Sequence, residues 1–221
     1  MKIRFLQLLV ALLAFTINDT YAQRFKMGVV AGFVATDVVG IDPTDTDFHN
    51  AGITLGGLLN TKISENNSIQ FEILYTQKGS LQPADSANNY NLYKLSLNYV
   101  EVPVMFRHNL QFNINKKPVD RFYLEAGPSY GRLVGIKVVS SSPYYYDGNF
   151  RNNEVALNIG VGSRILKNLY FNVRFSNSII AAVKNQKQIN SFIWYTYNKG
   201  DNILFSFTLR YIFDPGNDDT N

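Results

Sequence analysis

The residues best suited to chemistry in this chain are charged side chains within otherwise apolar segments. In "LSLNYVEVPVMFRHNL" (95–110), Glu101 and Arg107 interrupt a run rich in Val and Leu. A charge withdrawn from water needs an opposite charge, and breaking one buried pair typically costs about 3–5 kcal/mol. In such segments apolar and polar residues alternate, and three glutamates and four arginines fall on the polar side of this alternation. They could form one interior carboxylate–guanidinium network: Glu72, Glu101, Glu125, Arg107, Arg164, Arg174 and Arg210. We expect this network to be structural, with a proton or ion pathway as the alternative.

Motifs for catalysis and for metal binding are scarce. The chain has 2 His and no Cys, which excludes disulfides, thiolate sites and His-rich metal sites. A serine triad needs a His beside a Ser and an acid, and no G-x-S-x-G motif accompanies His49. A P-loop and a dinucleotide fingerprint are also absent. We therefore expect a protein that is not an enzyme and that uses no cofactor or metal.

The elements that must position these residues are β-strands. Period-two alternation of apolar and polar residues is common after Gln23, and turn-rich stretches separate the alternating segments. The pattern predicts eight strands, at residues 24–36, 49–62, 67–80, 94–111, 120–138, 153–166, 169–183 and 202–213. Single-chain bacterial membrane barrels have an even number of antiparallel strands.

The connections between the predicted strands alternate in length. Long segments at 37–48, 81–93, 139–150 and 184–201 alternate with shorter ones at 64–67, 112–119 and 167–168. Outer-membrane barrels show this pattern, with long loops outside the cell and short turns in the periplasm. We therefore predict an all-β, eight-stranded antiparallel up-and-down transmembrane β-barrel.

The two faces of each strand indicate which solvent each one meets. In the last strand one face carries Phe205, Phe207 and Leu209, and the other carries Thr208 and Arg210. The polar faces hold Gly, Asn, Ser and single charges with few Lys, which suits a narrow lumen better than a water-exposed surface. The apolar faces would then meet lipid, with aromatic girdles formed by Tyr75, Tyr211, Phe213, Phe122 and Tyr130. A soluble, lipocalin-like carrier with its apolar face inward is the alternative.

The strand at 94–111 contains two irregularities. Pro103 removes one ladder hydrogen bond, which predicts a bulge or a kink there. By alternation, the apolar residues Leu95 and Leu97 fall on the same lumen-facing side as Glu101. The direction in which the first residues of this strand point is therefore ambiguous. His108 has the lipid-side parity near the short-turn end of the strand, and we expect it at the membrane interface rather than in catalysis.

The N-terminus has the pattern of an export signal. Lys2 and Arg4 precede the apolar run "FLQLLVALLAF" (5–15), and "TYA" (20–22) ends in a small residue. The run is shorter than the roughly 20 residues of a transmembrane helix. We predict a signal peptide at 1–22, a barrel domain at 23–213 and a short polar tail at 214–221. The formal charge of +4 is scattered along the chain, so no nucleic-acid partner is expected.

Two kinds of loop residue could bind a partner. Aromatic residues in "SPYYYDG" and "SFIWYTY" could form a recognition surface or merely extend a strand pair above the membrane: Tyr144, Tyr145, Tyr146, Trp194 and Tyr195. Asp42, Asp45 and Asp47 in "DPTDTD" resemble calcium ligands, but their spacing departs from D-x-D-x-D-G. We expect a solvated acidic loop there, or one bridged to lipopolysaccharide by divalent cations.

Several motifs resemble the PorT-like outer-membrane β-barrel family of Bacteroidota. They are "LYTQKGS" (74–80), "LNYVEVPVMFRH" (97–108), "FYLEAGPSYGRLVG" (122–135), "NIGVGSRI" (158–165) and "LYFNVRFSNSI" (169–179). The resemblance covers roughly 24–213, although the seventh strand reads "RFSNSII" where the family usually has Arg-Tyr followed by Gly. It implies an eight-stranded outer-membrane barrel. One family member serves a protein-secretion apparatus, but the fold does not transfer that role.

Taken together, these patterns predict a protein of the cell outer membrane with a structural or binding role through its extracellular loops and with a lumen plugged by side chains. The expected partners are outer-membrane lipid, lipopolysaccharide and other envelope proteins. The alternatives are an accessory component of a secretion machinery, a lipocalin-like carrier, and a barrel enzyme that acts on lipid through His49.

Overall fold

The computed structural model describes residues 25–38, 48–86, 89–114, 117–119, 121–141, 150–180 and 201–213. These residues form ten strands and, within the described ranges, no helix long and apolar enough to cross a membrane. The strands are β1 (Lys26–Val38), β2 (Asn50–Lys62), β3 (Asn67–Gln82), β4 (Tyr93–Asn109), β5 (Phe112–Ile114), β6 (Lys117–Val119), β7 (Phe122–Ser140), β8 (Asn153–Arg164), β9 (Leu169–Ser178) and β10 (Asn202–Ile212).

Eight of the strands close into one antiparallel barrel in the order β1-β10-β9-β8-β7-β4-β3-β2. The barrel closes where β1 pairs with β10, from Gly28 opposite Ile212 to Val38 opposite Asn202. This closed barrel confirms the predicted fold class. The remaining two strands, β5 and β6, form a small hairpin between β4 and β7 where only a loop was predicted.

The barrel is apolar outside and polar inside, the inverse of a soluble protein. Phe33 is 72% exposed on the outer face, whereas Gln70 and Arg210 are 0% and 1% exposed in the lumen. Lipid can solvate the outer face without a hydrophobic penalty, and strand closure satisfies the backbone polar groups. The lipocalin-like alternative required an apolar cavity and is not favoured by this arrangement.

Aromatic residues mark both ends of the lipid-facing band. At one end Phe122 stacks on Phe112 with ring centroids 5.9 Å apart, and Tyr211 meets Phe213 edge to face at 5.7 Å. At the other end Tyr130 is exposed and donates a hydrogen bond to Asn153. These positions are those expected for aromatic girdles at the two lipid interfaces.

The barrel has two different ends. The short-turn rim contains the β2–β3 and β8–β9 turns, the β5–β6 hairpin, and the start of β1 and the end of β10. The long-loop rim contains the four longer connections. In outer-membrane barrels the short turns face the periplasm and the long loops face the cell exterior.

The bulge in the wall lies away from Pro103. The β4–β7 register shifts where Asn98 faces Gly135 and Tyr99 faces Leu133, so the extra residue is on β7. The β3–β4 pairs on both sides of Pro103 keep one register, so the predicted bulge is not there, although Val102 and Pro103 themselves are missing from this ladder. Because β4 itself has no bulge, its alternation continues unchanged, and Leu95 and Leu97 point into the lumen and are fully buried.

Candidate functional site

A four-residue ionic cluster fills the lower half of the lumen, towards the short-turn rim. We call it the lower network; its members are Glu72 on β3, Glu125 on β7, Arg174 on β9 and Arg210 on β10. Arg174 forms a bidentate pair with Glu72, with Nη1–Oε2 at 2.9 Å and Nη2–Oε1 at 2.8 Å. Its Nε also donates to Oε1 of Glu125 at 2.8 Å, so one guanidinium joins carboxylates from two strands.

Arg210 completes the lower network from β10, the strand next to that of Arg174. Its Nη1 donates to Oε2 of Glu125 at 2.8 Å and its Nη2 donates to Oε1 of Glu125 at 3.1 Å. Nη2 also lies 3.4 Å from Oε1 of Glu72. Glycine makes room for these long side chains, since a Cβ on Gly160 would lie 3.2 Å from Oε1 of Glu125. The planar guanidinium fork suits such multidentate pairing better than Lys would.

Arg107 extends the lower network towards the short-turn rim. Its guanidinium carbon lies 3.7 Å from the centre of the Tyr123 ring, and its Nη1 donates to Oε1 of Gln70. Gln70 in turn donates to Glu72, and the Nε of Arg107 lies 3.9 Å from Oε2 of Glu125. Gln70 and Tyr123 were not predicted as site residues, although both have the lumen parity of their strands.

Glu101 was predicted in the same network as the arginines, but the structure places it in a second cluster. We call this cluster the upper trio; it consists of Lys78, Glu101 and Glu154. Lys78 Nζ lies 2.7 Å from Glu101 Oε1 and 2.6 Å from Glu154 Oε1. Asn202 Nδ2 donates to the second oxygen of Glu154 at 2.6 Å, and the Tyr99 ring lies 5.1 Å from Lys78 Nζ.

The two clusters together have no formal net charge. Four cations, Lys78, Arg107, Arg174 and Arg210, face the four carboxylates Glu72, Glu101, Glu125 and Glu154. The upper trio carries one excess negative charge, and the lower network with Arg107 carries one excess positive charge. Since all eight side chains are buried, loss of any one leaves an uncompensated charge inside the barrel.

The cavity between the two clusters is too small to conduct. Its volume is about 20 Å³, which is room for about one water molecule. Glu72, Arg174 and Arg210 of the lower network and Glu101 of the upper trio are among the residues that line it. Eight-stranded barrels are just wide enough for side chains to fill the interior. Within the described part of the chain, the lumen is therefore plugged.

An apolar layer covers the upper trio at the long-loop rim. Val38, Leu95, Leu97 and Phe150 are buried together with Tyr93 and Tyr99. At the level of this layer, Gly79 has φ of +143°, a conformation that L side chains rarely adopt, and its carbonyl accepts a hydrogen bond from Thr36 at 2.8 Å. This hydrogen bond links β1 to β3 past the strand between them, β2.

Arg164 was also predicted in the network, and this prediction was wrong. It is the last residue of β8, at the short-turn rim, and it is only half-buried. There it lines an open pocket of about 250 Å³ together with Lys26, Lys62, Glu65 and Arg121. Arg164 was correctly predicted to lie on the lumen side of its strand. However, its position along the barrel axis, at the short-turn rim, separates it from Glu125.

The remaining sequence candidates lie at the rims or outside the described residues. His108 is exposed, with its Nδ1 2.8 Å from Oδ1 of Asn67, and His49 is exposed just before β2. Within the described ranges, no three His, Cys, Asp or Glu side chains are grouped as a metal site. The loop residues outside the described ranges are Tyr144, Tyr145, Tyr146, Trp194, Tyr195, Asp42, Asp45 and Asp47, and the predicted signal peptide and tail lie there too.

Comparison with solved structures finds barrels of similar size at low sequence identity. Ail, the attachment invasion locus protein of Yersinia pestis, is 11% identical over 85% of this chain and 98% of its own, with a TM-score of 0.46. Neisserial surface protein A is 15% identical over 86% of this chain and 97% of its own, with a TM-score of 0.44. AlkL is 11% identical over 90% and 97%, with a TM-score of 0.33.

At these identities and TM-scores, the solved structures carry no information about function. No match was found among curated proteins. The model of one family, described as an outer membrane protein beta-barrel domain, matches residues 18–182, which is most of the chain. The closed barrel, its lipid-facing exterior and this match lead to one conclusion: the chain belongs to the outer membrane protein beta-barrel domain family and is located in the outer membrane.

Proposed function

We propose that this protein is a plugged, non-enzymatic barrel that holds a binding surface at the long-loop rim on the outside of the cell. The observation that carries the proposal is the filled lumen. Two ionic clusters and an apolar layer occupy its cross-section, so the described barrel offers no route for a solute. A barrel without a pore is a rigid support, and binding residues are commonly held on loops above such a support.

The partners that fit this proposal are other envelope proteins and lipopolysaccharide. The long-loop rim carries Lys94, Arg132 and Lys137 as exposed cations, which suits anionic headgroups or acidic protein surfaces. The aromatic loop residues Tyr144 to Tyr146, Trp194 and Tyr195 would supply further contact area.

Planar-bilayer conductance of the refolded protein tests the absence of a pore. We expect no channel steps, and steps comparable to those of a porin would exclude the proposal. Cross-linking on intact cells followed by mass spectrometry tests the binding surface. We expect cross-links from the long-loop rim, and fewer of them when Tyr144, Tyr145 and Tyr146 are changed to Ser. Hydrolysis of outer-membrane lipid that depends on His49 would contradict the non-enzymatic proposal.

Service to a secretion machinery is a second candidate, supported by the PorT-like motifs. The structure gives several motif residues linked physical roles: Lys78 pairs with Glu101, Gly79 adopts a positive φ, and Glu125 joins both arginines of the lower network. These roles explain why the motifs suit a plugged barrel, and they are compatible with either use. Loss of secreted proteins from the culture medium of a deletion strain would favour this candidate.

A further inference from the structure

The lumen opens at the short-turn rim into a pocket that faces the periplasm. We call this pocket the lower vestibule; its volume is about 250 Å³, several times the roughly 30 Å³ that one water molecule occupies in the liquid. Four cations line it, Lys26, Lys62, Arg121 and Arg164, and Glu65 is the one carboxylate among its described lining residues. The lower vestibule is therefore large enough for a small molecule, and its wall is positively charged.

The strand pairing shows that cations of the lower vestibule face the lumen and not the lipid. Lys62 pairs with Ser68, which is buried inside the barrel. Arg164 pairs with Tyr170, and Tyr170 pairs in turn with Arg210 of the lower network. Residues directly opposite each other in antiparallel strands lie on the same face of the sheet. A ligand bound by these side chains would therefore lie in the mouth of the barrel, in periplasmic water.

The floor of the lower vestibule is a pair of tyrosine rings backed by a buried arginine. Tyr123 and Tyr170 meet edge to face with ring centroids 6.3 Å apart, and both line the pocket. The guanidinium carbon of Arg107 lies 3.7 Å from the centre of the Tyr123 ring and 5.7 Å from that of Tyr170. Arg107 is 5% exposed, and its Nε has no hydrogen-bond partner. Because the lower network with Arg107 carries one excess positive charge, the floor adds to the positive potential of the wall.

The excess of positive charge at this rim holds for the sequence as a whole, including residues outside the described ranges. By their order along the chain, five segments begin or end at the rim: 23–26, 62–67, 109–122, 164–169 and 213–221. Together they contain eight Lys or Arg residues and five acidic ones, which are Glu65, Asp120, Asp214, Asp218 and Asp219. Even with all five acidic residues at the lower vestibule, the positive charges would outnumber the negative ones.

A phosphate group is the ligand chemistry that suits these side chains best. The guanidinium groups of Arg121 and Arg164 can each form two parallel hydrogen bonds to phosphate oxygens, and the lysines add point charges. A phosphate monoester carries a charge of about −1.5 to −2 at neutral pH, so it gains more from four cations than a monocarboxylate does. The amides of Asn66 and Gln111, which bond to each other at 2.7 Å in the lining, can contact the rest of the molecule.

We propose that the lower vestibule binds a small phosphorylated molecule from the periplasm. Arg121 and Arg164 hold the phosphate, and Glu65 opposes its charge. The headgroup of a membrane phospholipid offers the same phosphate chemistry, but the inward direction of Lys62 and Arg164 favours a soluble ligand. This site lies at the opposite rim from the binding surface proposed above and does not depend on it.

Binding of glycerol 3-phosphate to the folded barrel tests the proposal, with glycerol as the matched probe that lacks the phosphate. The barrel is placed in nanodiscs of phosphatidylcholine, whose headgroup has no net charge, and binding is measured by isothermal titration calorimetry. We expect saturable binding of glycerol 3-phosphate that weakens as salt is added, and no binding of glycerol. Phosphatidic acid included in the discs should not compete, and competition would assign the site to a lipid headgroup instead of a soluble ligand.

Arg121→Gln and Arg151→Gln provide a matched pair of variants. Both arginines are exposed and lie outside the strands, but Arg121 lines the lower vestibule and Arg151 lies at the long-loop rim. Arg121→Gln should weaken binding by about tenfold or more, whereas Arg151→Gln, with the same change in net charge, should leave it unchanged. Glu65→Gln should tighten binding by about two- to fivefold, because it removes the opposing carboxylate.

Three results would overturn the proposal: no saturable binding of glycerol 3-phosphate, equal binding of glycerol, or equal weakening by Arg121→Gln and Arg151→Gln. Weaker binding to the Glu65→Gln barrel would contradict the electrostatic account of the site. A heat-dependent gel shift verifies that each variant is folded. The tighter binding expected for Glu65→Gln cannot result from a loss of folding.

Discussion

Lys78→Met is the most informative single change in the lumen. Lys78 is 1% exposed and is the one cation of the upper trio, bonded to Glu101 at 2.7 Å and to Glu154 at 2.6 Å. Met has a similar length and leaves no large cavity, so the change removes the charge while largely preserving packing. Two buried carboxylates are then left facing each other, with Asn202 still donating to Glu154.

The expected cost follows from those contacts. Breaking one buried ion pair by removing a partner costs about 3–5 kcal/mol. Lys78 serves two pairs, but they share one cation and Asn202 remains, so we expect a loss near the upper end, about 5 kcal/mol, rather than twice that value. Urea unfolding of the barrel in lipid vesicles, followed by the gel shift between folded and unfolded forms, measures this free energy.

Two comparisons isolate the charge. Lys94→Met removes an exposed lysine from the outer face of β4 and should change the free energy of unfolding by no more than about 0.5 kcal/mol. Adding Glu101→Gln and Glu154→Gln to Lys78→Met removes the stranded charges and should restore much of the lost stability. If Lys78→Met unfolds like the wild type, the upper trio does not stabilise the barrel and our account of the lumen is wrong.

The lower network, the packing around one glycine and the lipid face give three further predictions. Arg174→Met should cost about 3–5 kcal/mol in the same urea assay, because it removes the bidentate partner of Glu72 and leaves Arg210, 3.4 Å from Glu72, to face both carboxylates. Gly162→Ala should cost about 1–3 kcal/mol, because its Cβ would lie 2.1 Å from Cζ of Tyr123 and must displace that ring. Phe207→Arg should cost about 2–4 kcal/mol, because Phe207 faces lipid in the middle of β10.

Each of these three has its own control. Glu101→Gln should cost less than Arg174→Met, since Lys78 keeps Glu154; equal costs would contradict the division into two clusters. Gly57→Ala should be tolerated, because the nearest atom to its Cβ is 3.8 Å away, and a cost similar to that of Gly162→Ala would refute the steric argument. Phe207→Leu should be nearly neutral in lipid, and an equal loss from both Phe207 variants would show that charge in lipid is not the cause.

Much of this barrel could be predicted from the sequence because side-chain direction in a strand alternates with every residue. The parity of Phe205 and Phe207 against Thr208 and Arg210 separates the lipid face from the lumen without knowledge of any partner strand. The same parity placed Glu72 and Glu125 inside. The period-two pattern likewise predicted the eight strands, and the alternation of long and short connections predicted the two rims. These are local properties, and they depend only on order along the chain.

The partners within the lumen were decided by the tertiary structure. By alternation, Lys78 and Glu154 could have been recognised as lumen residues. Nothing in their local sequence indicates that they contact Glu101 while the arginines contact Glu72. Arg164 is a second example, because alternation places it on the lumen side but its position along the barrel axis is at the rim. Height depends on the stagger of each strand against its neighbours as the sheet closes. That stagger results from pairing over the whole barrel.

The position of the bulge also depends on strands distant in sequence. Pro103 suggested a bulge locally, but the register shifts at Asn98 on β4, opposite β7. The burial of Phe150 against Val38 and Leu97, which come from β1 and β4, likewise depends on strands that lie far away in the sequence. The sequence by itself determined which side chains of a strand share a face, except beyond the bulge on β7, where the alternation reverses after Leu133. Only the closed barrel decided which side chains meet, because their contacts depend on registers set between strands.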